Sequence, residues 1–381
     1  MKFIHLSDTH FGAFSSYPKL HTKELEEFKK LLTEYIDFIV ISGDIFNMPF
    51  QMFEGLDDLI FSMRAFTESG RHIYAVPGSH DISSGSSIFS ILEAAGIITN
   101  VFKIKEKDGY IYLERTYDKR TGVSLYGIGG ETNSREIELY NKIIVKPEEK
   151  SIFLFHSPIK GSLGIQGARE LDLENMPKGF SYYAGGHVHK RMVKMIDGAY
   201  LIYPGLFFGS SFDELYSHTE RGYVLVEDFK PKFIEIEPLN ICIYNVNCEN
   251  RSSRNVLDEI QSKLEEINAD IMFINLFGKA SFDPDEINIG KIPLKLKRKF
   301  ILMIRKKDIK YESEEIPLEI DNLENEVKSI KNPFSLDLLE FVDKLKIEKV
   351  EGEMNDEFKK RMLKSLRNEL ERVEYNDNQV N

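Results

Sequence analysis

Five short segments of this chain hold residues that could bind metal ions. They are Asp8-Thr9-His10, Gly43-Asp44, Gly78-Ser79-His80-Asp81, His156 and Gly186-His187-Val188-His189. Asp and neutral His are ordinary ligands for Mn, Fe or Zn, which accept mixed oxygen and nitrogen donors. Residues i and i+2 of an extended segment point the same way, so Asp8/His10 and His187/His189 can each act as a pair. Asp44 leaves an apolar run at a glycine, and a lone carboxylate there can bridge two ions. Two ions about 3.5–4 Å apart stabilise both the attacking and the leaving oxygen of an in-line phosphoryl displacement. A single D-x-H pattern arises readily by chance. Five such segments in order, each directly after an apolar run, do not. The expected chemistry is metal-dependent phosphoester cleavage with Asp8, His10, Asp44, His156, His187 and His189 as ligands. Of the other histidines, His5 lies inside an apolar run and reads as core. His21, His72 and His218 read as ordinary surface or loop residues.

The elements that must position these residues are short strands. FIHLS (3–7), FIVIS (38–42), IYAV (73–76), SLYGI (124–128), IFLF (152–155), YYAG (182–185) and YLIY (200–203) are rich in β-branched and aromatic residues and end at Gly, Pro, Ser or Asp. Between them, 23–36, 53–69 and 86–96 carry helical spacing of apolar residues. The alternation implies a layered α/β domain. Ligand sites in open α/β sheets form beyond the carboxyl ends of the strands, so the five segments are expected to converge. Near residue 235 the pattern changes. Strand-like 241–246, a helix over 255–267, and strand-like 270–278 and 300–306 suggest a small α/β module. An acidic stretch then leads to two amphipathic helices, 335–346 and 356–374. Such a hairpin cannot bury its apolar face alone, so it packs on its own chain or on a partner protein.

With 381 residues the chain is long enough for two or three domains. Its two cysteines, Cys242 and Cys248, exclude a disulfide scaffold. The start, MKFIHLSDTHF, turns polar too early for a signal peptide, and no apolar run approaches a membrane span of about 20 residues. The expectation is a soluble, cytoplasmic protein. The net charge of −12 argues against a nucleic-acid partner on average. An average can hide a patch, however. In 291–310, Lys291, Lys295, Lys297, Arg298, Lys299, Arg305, Lys306, Lys307 and Lys310 face one acid, Asp308. Such a strip either tracks phosphates or is simply a solvated face.

The ordered set D-x-H, G-D, G-[N]-H-[DE], H, G-H-x-H resembles the calcineurin-like metallophosphoesterase superfamily. The resemblance implies a two-sheet sandwich flanked by helices. It implies one metal on Asp8, His10, Asp44 and His189, and a second on Asp44, His156, His187 and position 79. His80 would be the catalytic histidine that is not a ligand, helping the leaving oxygen depart, with a hydroxide as nucleophile. One position departs: the pattern usually has Asn where this chain has Ser79, a shorter and poorer neutral ligand. A looser second metal site is expected.

The order of parts is similar to one branch, the DNA double-strand-break repair nucleases called meiotic recombination eleven, or SbcD. HSPIKGSLG (156–164) and LDLENMPKGFSYYAGGHVH (171–189) also look like that branch. The implied parts are a nuclease core (1–232), an α/β capping domain that contacts DNA (233–312), a linker (313–329), a helical hairpin (330–375) and a tail (376–381). Residues 335–374 of the hairpin would grip an SMC-like coiled-coil ATPase of the Rad-fifty/SbcC family. A homodimer would form through the region of helices 53–69 and 86–96. Family nucleases often carry a further His behind G-D, where this chain has Phe46-Asn47-Met48-Pro49; Asn47 could still donate a hydrogen bond to phosphate. The expected function is a two-metal, Mn-dependent DNA exonuclease or endonuclease acting at double-strand ends. Lys297, Arg298, Lys299, Arg305 and Lys306 are the candidate DNA contacts. The rivals are a small-molecule or nucleotide metallophosphatase, and a DNA-end-binding scaffold with weak catalysis.

Overall fold

The computed structural model describes residues 1–164, 168–217, 220–311 and 361. The expected linker, hairpin and tail (313–329, 330–375 and 376–381) lie outside the described residues apart from residue 361, as does His218. Residues Met1–Lys310 form one compact unit.

The chain begins β1 (Lys2–Leu6), α1 (Pro18–Leu32), β2 (Phe38–Ser42), α2 (Leu56–Glu68), β3 (His72–Val76), α3 (Ile88–Ala94) and β4 (Thr99–Asn100). It continues β5 (Ile104–Lys107), β6 (Tyr110–Leu113), β7 (Thr116–Asp118), β8 (Val123–Ile128), α4 (Ile137–Tyr140), β9 (Ile143–Ile144) and β10 (Ser151–His156). Then come β11 (Tyr182–Gly186), β12 (Met192–Ile196), β13 (Ala199–Tyr203), α5 (Phe212–Tyr216), β14 (Gly222–Glu227) and β15 (Lys230–Glu235). The final group is β16 (Ile241–Asn247), α6 (Ser253–Glu266), β17 (Ile271–Lys279), α7 (Leu294–Lys297) and β18 (Ile301–Lys310).

Two six-stranded sheets form the sandwich, ordered β15-β14-β1-β2-β3-β4 and β12-β13-β11-β10-β8-β7. Strand parity builds it. Phe3, Phe38, Val40, Tyr74 and Val76 of the first sheet meet Leu125, Ile152, Leu154, Tyr182 and Ile202 of the second. The alternate residues Ile4, Leu6, Ile39, Ile41 and Ile73 face outward into a layer with Leu25, Phe28, Leu59, Met63 and Leu92 of the helices. Phe153, Phe155, Tyr183 and Tyr203 line the outer face of the second sheet. Parallel strands covered on both faces read as continuous apolar runs, which is why FIVIS is buried at every position. His5 points between the sheets, fully buried, with Nδ1 3.0 Å from the Tyr182 hydroxyl and Nε2 3.1 Å from Ser42 Oγ.

Three local expectations are corrected. Helix α1 starts at Pro18, not 23, because proline is tolerated in a first turn where its missing N–H costs nothing. His21 is buried on that helix: Nε2 donates to the Glu54 carbonyl at 2.8 Å and Nδ1 lies 3.1 Å from Glu24 Oε2. A small sheet, β5-β6-β9, stands where no strand is expected. Its hairpin turns at Asp108-Gly109, both with positive φ, as a two-residue turn of this twist requires.

After β15, strands β16-β17-β18 form a parallel sheet with its own core of Val246, Val256, Ile260, Leu264, Ile274 and Leu276. This module is joined to the sandwich side. Lys23 Nζ binds Asp270 at 2.7 Å, and the Tyr216 ring meets Phe273 edge-on at 5.3 Å.

Candidate metal centre

Four parallel strands, β1, β2, β3 and β11, end on one side and deliver the ligand loops there, and β10 ends on His156 itself. The loops are stitched together. Asp8 N–H donates to the Gly43 carbonyl and His10 N–H to that of Asp44, both at 3.0 Å. The pairing of Asp8 with His10 differs in kind from an extended segment. Strand β1 stops at Leu6, and Asp8, His10, Asp44 and His187 all have left-handed backbones, with φ of 50°, 46°, 50° and 86°. A sharp turn after each strand, not the strand pleat, aims these side chains. Such conformations store on the order of 1 kcal/mol or more each, cluster at functional sites, and suit Asp and His better than most residues.

Three sets of side chains bring ligand atoms within 4.8 Å of one another: Asp8, His10 and His189; His10, Asp44 and His80; and Asp8, Asp44 and His156. His10 Nε2 is 3.3 Å from His189 Nε2, a separation that two nitrogens sharing one ion at about 2.1 Å would have. His156 Nε2 is 3.2 Å from Asp44 Oδ2. His187 and Ser79 stand outside those three sets. They line the same cleft of about 360 Å³ with Asp44, His80, His189 and Lys190, and the His187 ring meets His156 edge-on at 5.2 Å.

The donor set fits divalent ions. His156 Nε2 is buried with the Asp44 carboxylate beside it at 3.2 Å but makes no well-aligned hydrogen bond, a state that native interiors rarely leave uncompensated. Ring orientations are fixed from behind. His156 Nδ1 donates to the Ser42 carbonyl at 2.8 Å and His80 Nδ1 to the Asn47 carbonyl at 2.8 Å, freeing Nε2 of each ring. The motif glycines make room. A Cβ on Gly43 would lie 2.3 Å from His156 Nδ1, and one on Gly78 would lie 2.2 Å from Asp44 Oδ1.

Electrostatics match. Burial pushes the His10 pKa down to about 3, and burial with the neighbouring His156 pushes His187 down to about 4, so both stay neutral donors. Burial also disfavours charge on His156, but the Asp44 and Asp8 carboxylates outweigh it and hold its pKa up at about 10. Asp44 is kept well below the usual carboxylate range despite its burial, because His156 pairs with it. Burial raises Asp8.

Residue patterning missed two supports. Asp81 accepts the Gly78, Ile45 and Phe46 N–H groups at 2.9–3.1 Å and so ties the second and third ligand loops together. Glu214 Oε1 binds His189 Nδ1 at 2.5 Å. The only sequence trace of Glu214 is Ser211-x-x-Glu214, a helix-start pattern with no hint of a metal. The basic strip is mostly engaged. Arg305 bonds Asp213 and stacks 3.9 Å over the Tyr216 ring, Lys306 binds Asp285 at 2.7 Å, and Lys299 donates to the Glu265 carbonyl at 2.9 Å. Lys297 and Arg298 have no internal partner among the described residues.

No helix among the described residues is long and apolar enough to cross a membrane. The model of the calcineurin-like phosphoesterase family matches residues 1–191. Several relatives are DNA double-strand break repair proteins named Mre11. The one from Archaeoglobus fulgidus is 25% identical over 77% of this chain and 68% of its own length. That from Sulfolobus acidocaldarius is 26% identical over 75% and 77%, and that from Sulfurisphaera tokodaii 28% identical over 69% and 68%. A family domain spanning every ligand segment, with likeness to these relatives running past it, places the chain in the calcineurin-like phosphoesterase family, on its Mre11/SbcD branch.

Proposed function

We propose that this protein is a two-metal DNA nuclease, Mn-dependent, that processes double-strand breaks. The observation that carries the reading is the grouping of ligand atoms from Asp8, His10, Asp44, His80, His156 and His189, beside a cleft that His187 and Ser79 also line. When bound, two divalent ions would supply Lewis acidity to the phosphoryl oxygens and a hydroxide nucleophile at neutral pH. Asp44 stands between the two halves of the ligand set and would serve both. Its Oδ1 also accepts the His80 N–H at 2.8 Å, which fixes the loop carrying His80 against the centre. His80 Nδ1 is held by Asn47, leaving Nε2 to assist the departing oxygen. The relatives' printed role in DNA double-strand break repair supports DNA as the phosphodiester.

The partner readings belong to the same proposal. Residues 335–374 would bind an SMC-like ATPase, and the face of α2 and α3 a second copy of the chain. In the module, phosphate contacts fall to Lys297 and Arg298, while Arg305, Lys306 and Lys299 are held internally. Reversing the charge of Lys297 and Arg298 should weaken DNA binding and flatten its salt slope by about 2; an unchanged slope retires that role.

Incubating the pure protein with Mn and end-labelled duplex DNA, beside His80→Asn, tests the function. Mn-dependent shortening, slowed roughly 10²–10⁴-fold in the variant with Mn binding intact, is expected. Hydrolysis of nucleotides alone would instead favour a small-molecule phosphatase. DNA binding without cleavage would favour a scaffold.

A further inference from the structure

We propose that Glu214 is the positioning residue for His189, and that the 241–310 module holds Glu214 in register with the metal centre by clamping α5 through Arg305. The proposal rests on the two-metal reading of the centre, and not on DNA being the substrate.

Each contact in this relay is direct. His189 Nδ1 meets Glu214 Oε1 at 2.5 Å, which leaves Nε2 as the nitrogen facing His10 and Asp8 Oδ1 at 3.3 and 3.7 Å. The other Glu214 oxygen accepts Ser210 N–H at 2.8 Å and Ser210 Oγ–H at 2.7 Å, so the carboxylate cannot rotate freely. His156 and His80 are backed by neutral carbonyls, whereas His189 is backed by a carboxylate. A carboxylate behind an imidazole both orients it and makes it the stronger donor.

Helix α5 has only five residues, so its placement is set from outside. Its successive residues face three ways. Leu215 and Phe212 pack into the sandwich side, where Phe212 meets Phe14 and Tyr17. Glu214 faces His189. Asp213 and Tyr216 face the module, where Arg305 bonds Asp213 and covers the Tyr216 ring, and Lys307 Nζ adds a contact to Asp213 at 3.3 Å. The Arg305 side chain is only 17% exposed, while that of Lys307 is 69% exposed. Arg305 therefore sits inside the joint between the two parts, in contact with the residues one and two positions from Glu214, which touches His189.

The test is a Mn titration of the full chain without DNA, read by calorimetry and by the Mn electron paramagnetic resonance signal, with circular dichroism to confirm the fold. Glu214→Gln keeps the shape and removes the charge; it should weaken one of the two Mn sites by roughly 10–100-fold and leave the other near wild type. Arg305→Ala should weaken the same site by a smaller factor. Combined with Glu214→Gln it should add little, because both act through one ligand. Arg305→Lys, which keeps charge but loses the planar stack, should behave like Arg305→Ala. Wild-type affinity at both sites in folded Glu214→Gln overturns the positioning role. Additive losses in the double variant, or an Arg305→Ala with unchanged affinities, overturn the clamp. A wild-type chain that binds no Mn overturns the two-metal reading beneath both.

Discussion

The two halves of the candidate metal centre bring together the same residue types but support them differently. On one side Asp8, His10 and His189 stand together, and His189 is backed by a carboxylate that is itself held by Ser210. On the other, His156 is backed only by the Ser42 carbonyl, and beside His187 the last position is Ser79. Asp44 lies between them. The difference lies behind the candidate ligands, and outer partners of this kind commonly tune metal affinity. The first half should hold its ion tightly and the second more loosely.

Removing what the halves share should have the largest effect. Asp44→Asn takes away the one carboxylate proposed to serve both, and Mn-dependent cleavage should fall roughly a thousandfold or more, with neither site filling in a Mn titration. Retention of one tight site would show that Asp44 serves a single ion and that the halves are independent.

Strengthening the weaker half should have a moderate effect. Ser79→Asn lengthens a side chain that lines the cleft and supplies an amide oxygen. Affinity for the second Mn should rise about tenfold while the first is unchanged. Equal second-site affinity in wild type and variant would remove the asymmetry this comparison rests on.

The smallest effect lies outside the centre, at a buried acid with no ion to claim it. Glu24 is fully buried on α1 beside His21, and burial raises its pKa from 4.5 to about 7. A raised folded-state value means that the stability tied to its proton is complete below pH 4.5. It is lost as pH rises through about 7. Glu24→Gln should abolish that loss, so the variant gains on the order of 1–3 kcal/mol over wild type at pH 8 relative to pH 4.5. Parallel unfolding curves across that range would show that His21 compensates the charge fully, as the centre's ligands do for theirs.

The convergence of the candidate residues is legible because few residue types bind metals and these sit at or just after strand ends that an apolar run betrays. His5 and the strand positions were legible for the same reason, since burial on both faces leaves an unbroken apolar signature. The supports were not. Glu214 reaches His189 across the fold from a five-residue helix, and a lone glutamate after two serines looks like any helix start. Asp81 lies inside a recognised motif, yet two of its three backbone partners, Ile45 and Phe46, belong to a different loop some way off in sequence. His21 reads as a loop residue only because the apolar spacing places the helix start at 23; the added turn from Pro18 carries it onto the buried face. The hairpin at Asp108-Gly109 shows its turn dipeptide in the sequence, but the strand before it, IKEK, is largely charged and gives no apolar run. Arg305 shows the limit of a charge run: proximity in sequence made it one of a strip, and only the structure separates it from Lys297 and Arg298.

The claim at the base of the account is that one cleft holds two ions close enough to act on one phosphodiester. The most direct measurement is the Mn electron paramagnetic resonance spectrum of the wild-type chain as Mn is added to two equivalents, followed in the same samples by cleavage of end-labelled duplex DNA. The account predicts an exchange-coupled pair that grows in with the second equivalent, together with cleavage. A single uncoupled ion per chain, or cleavage already complete at one equivalent, would contradict it.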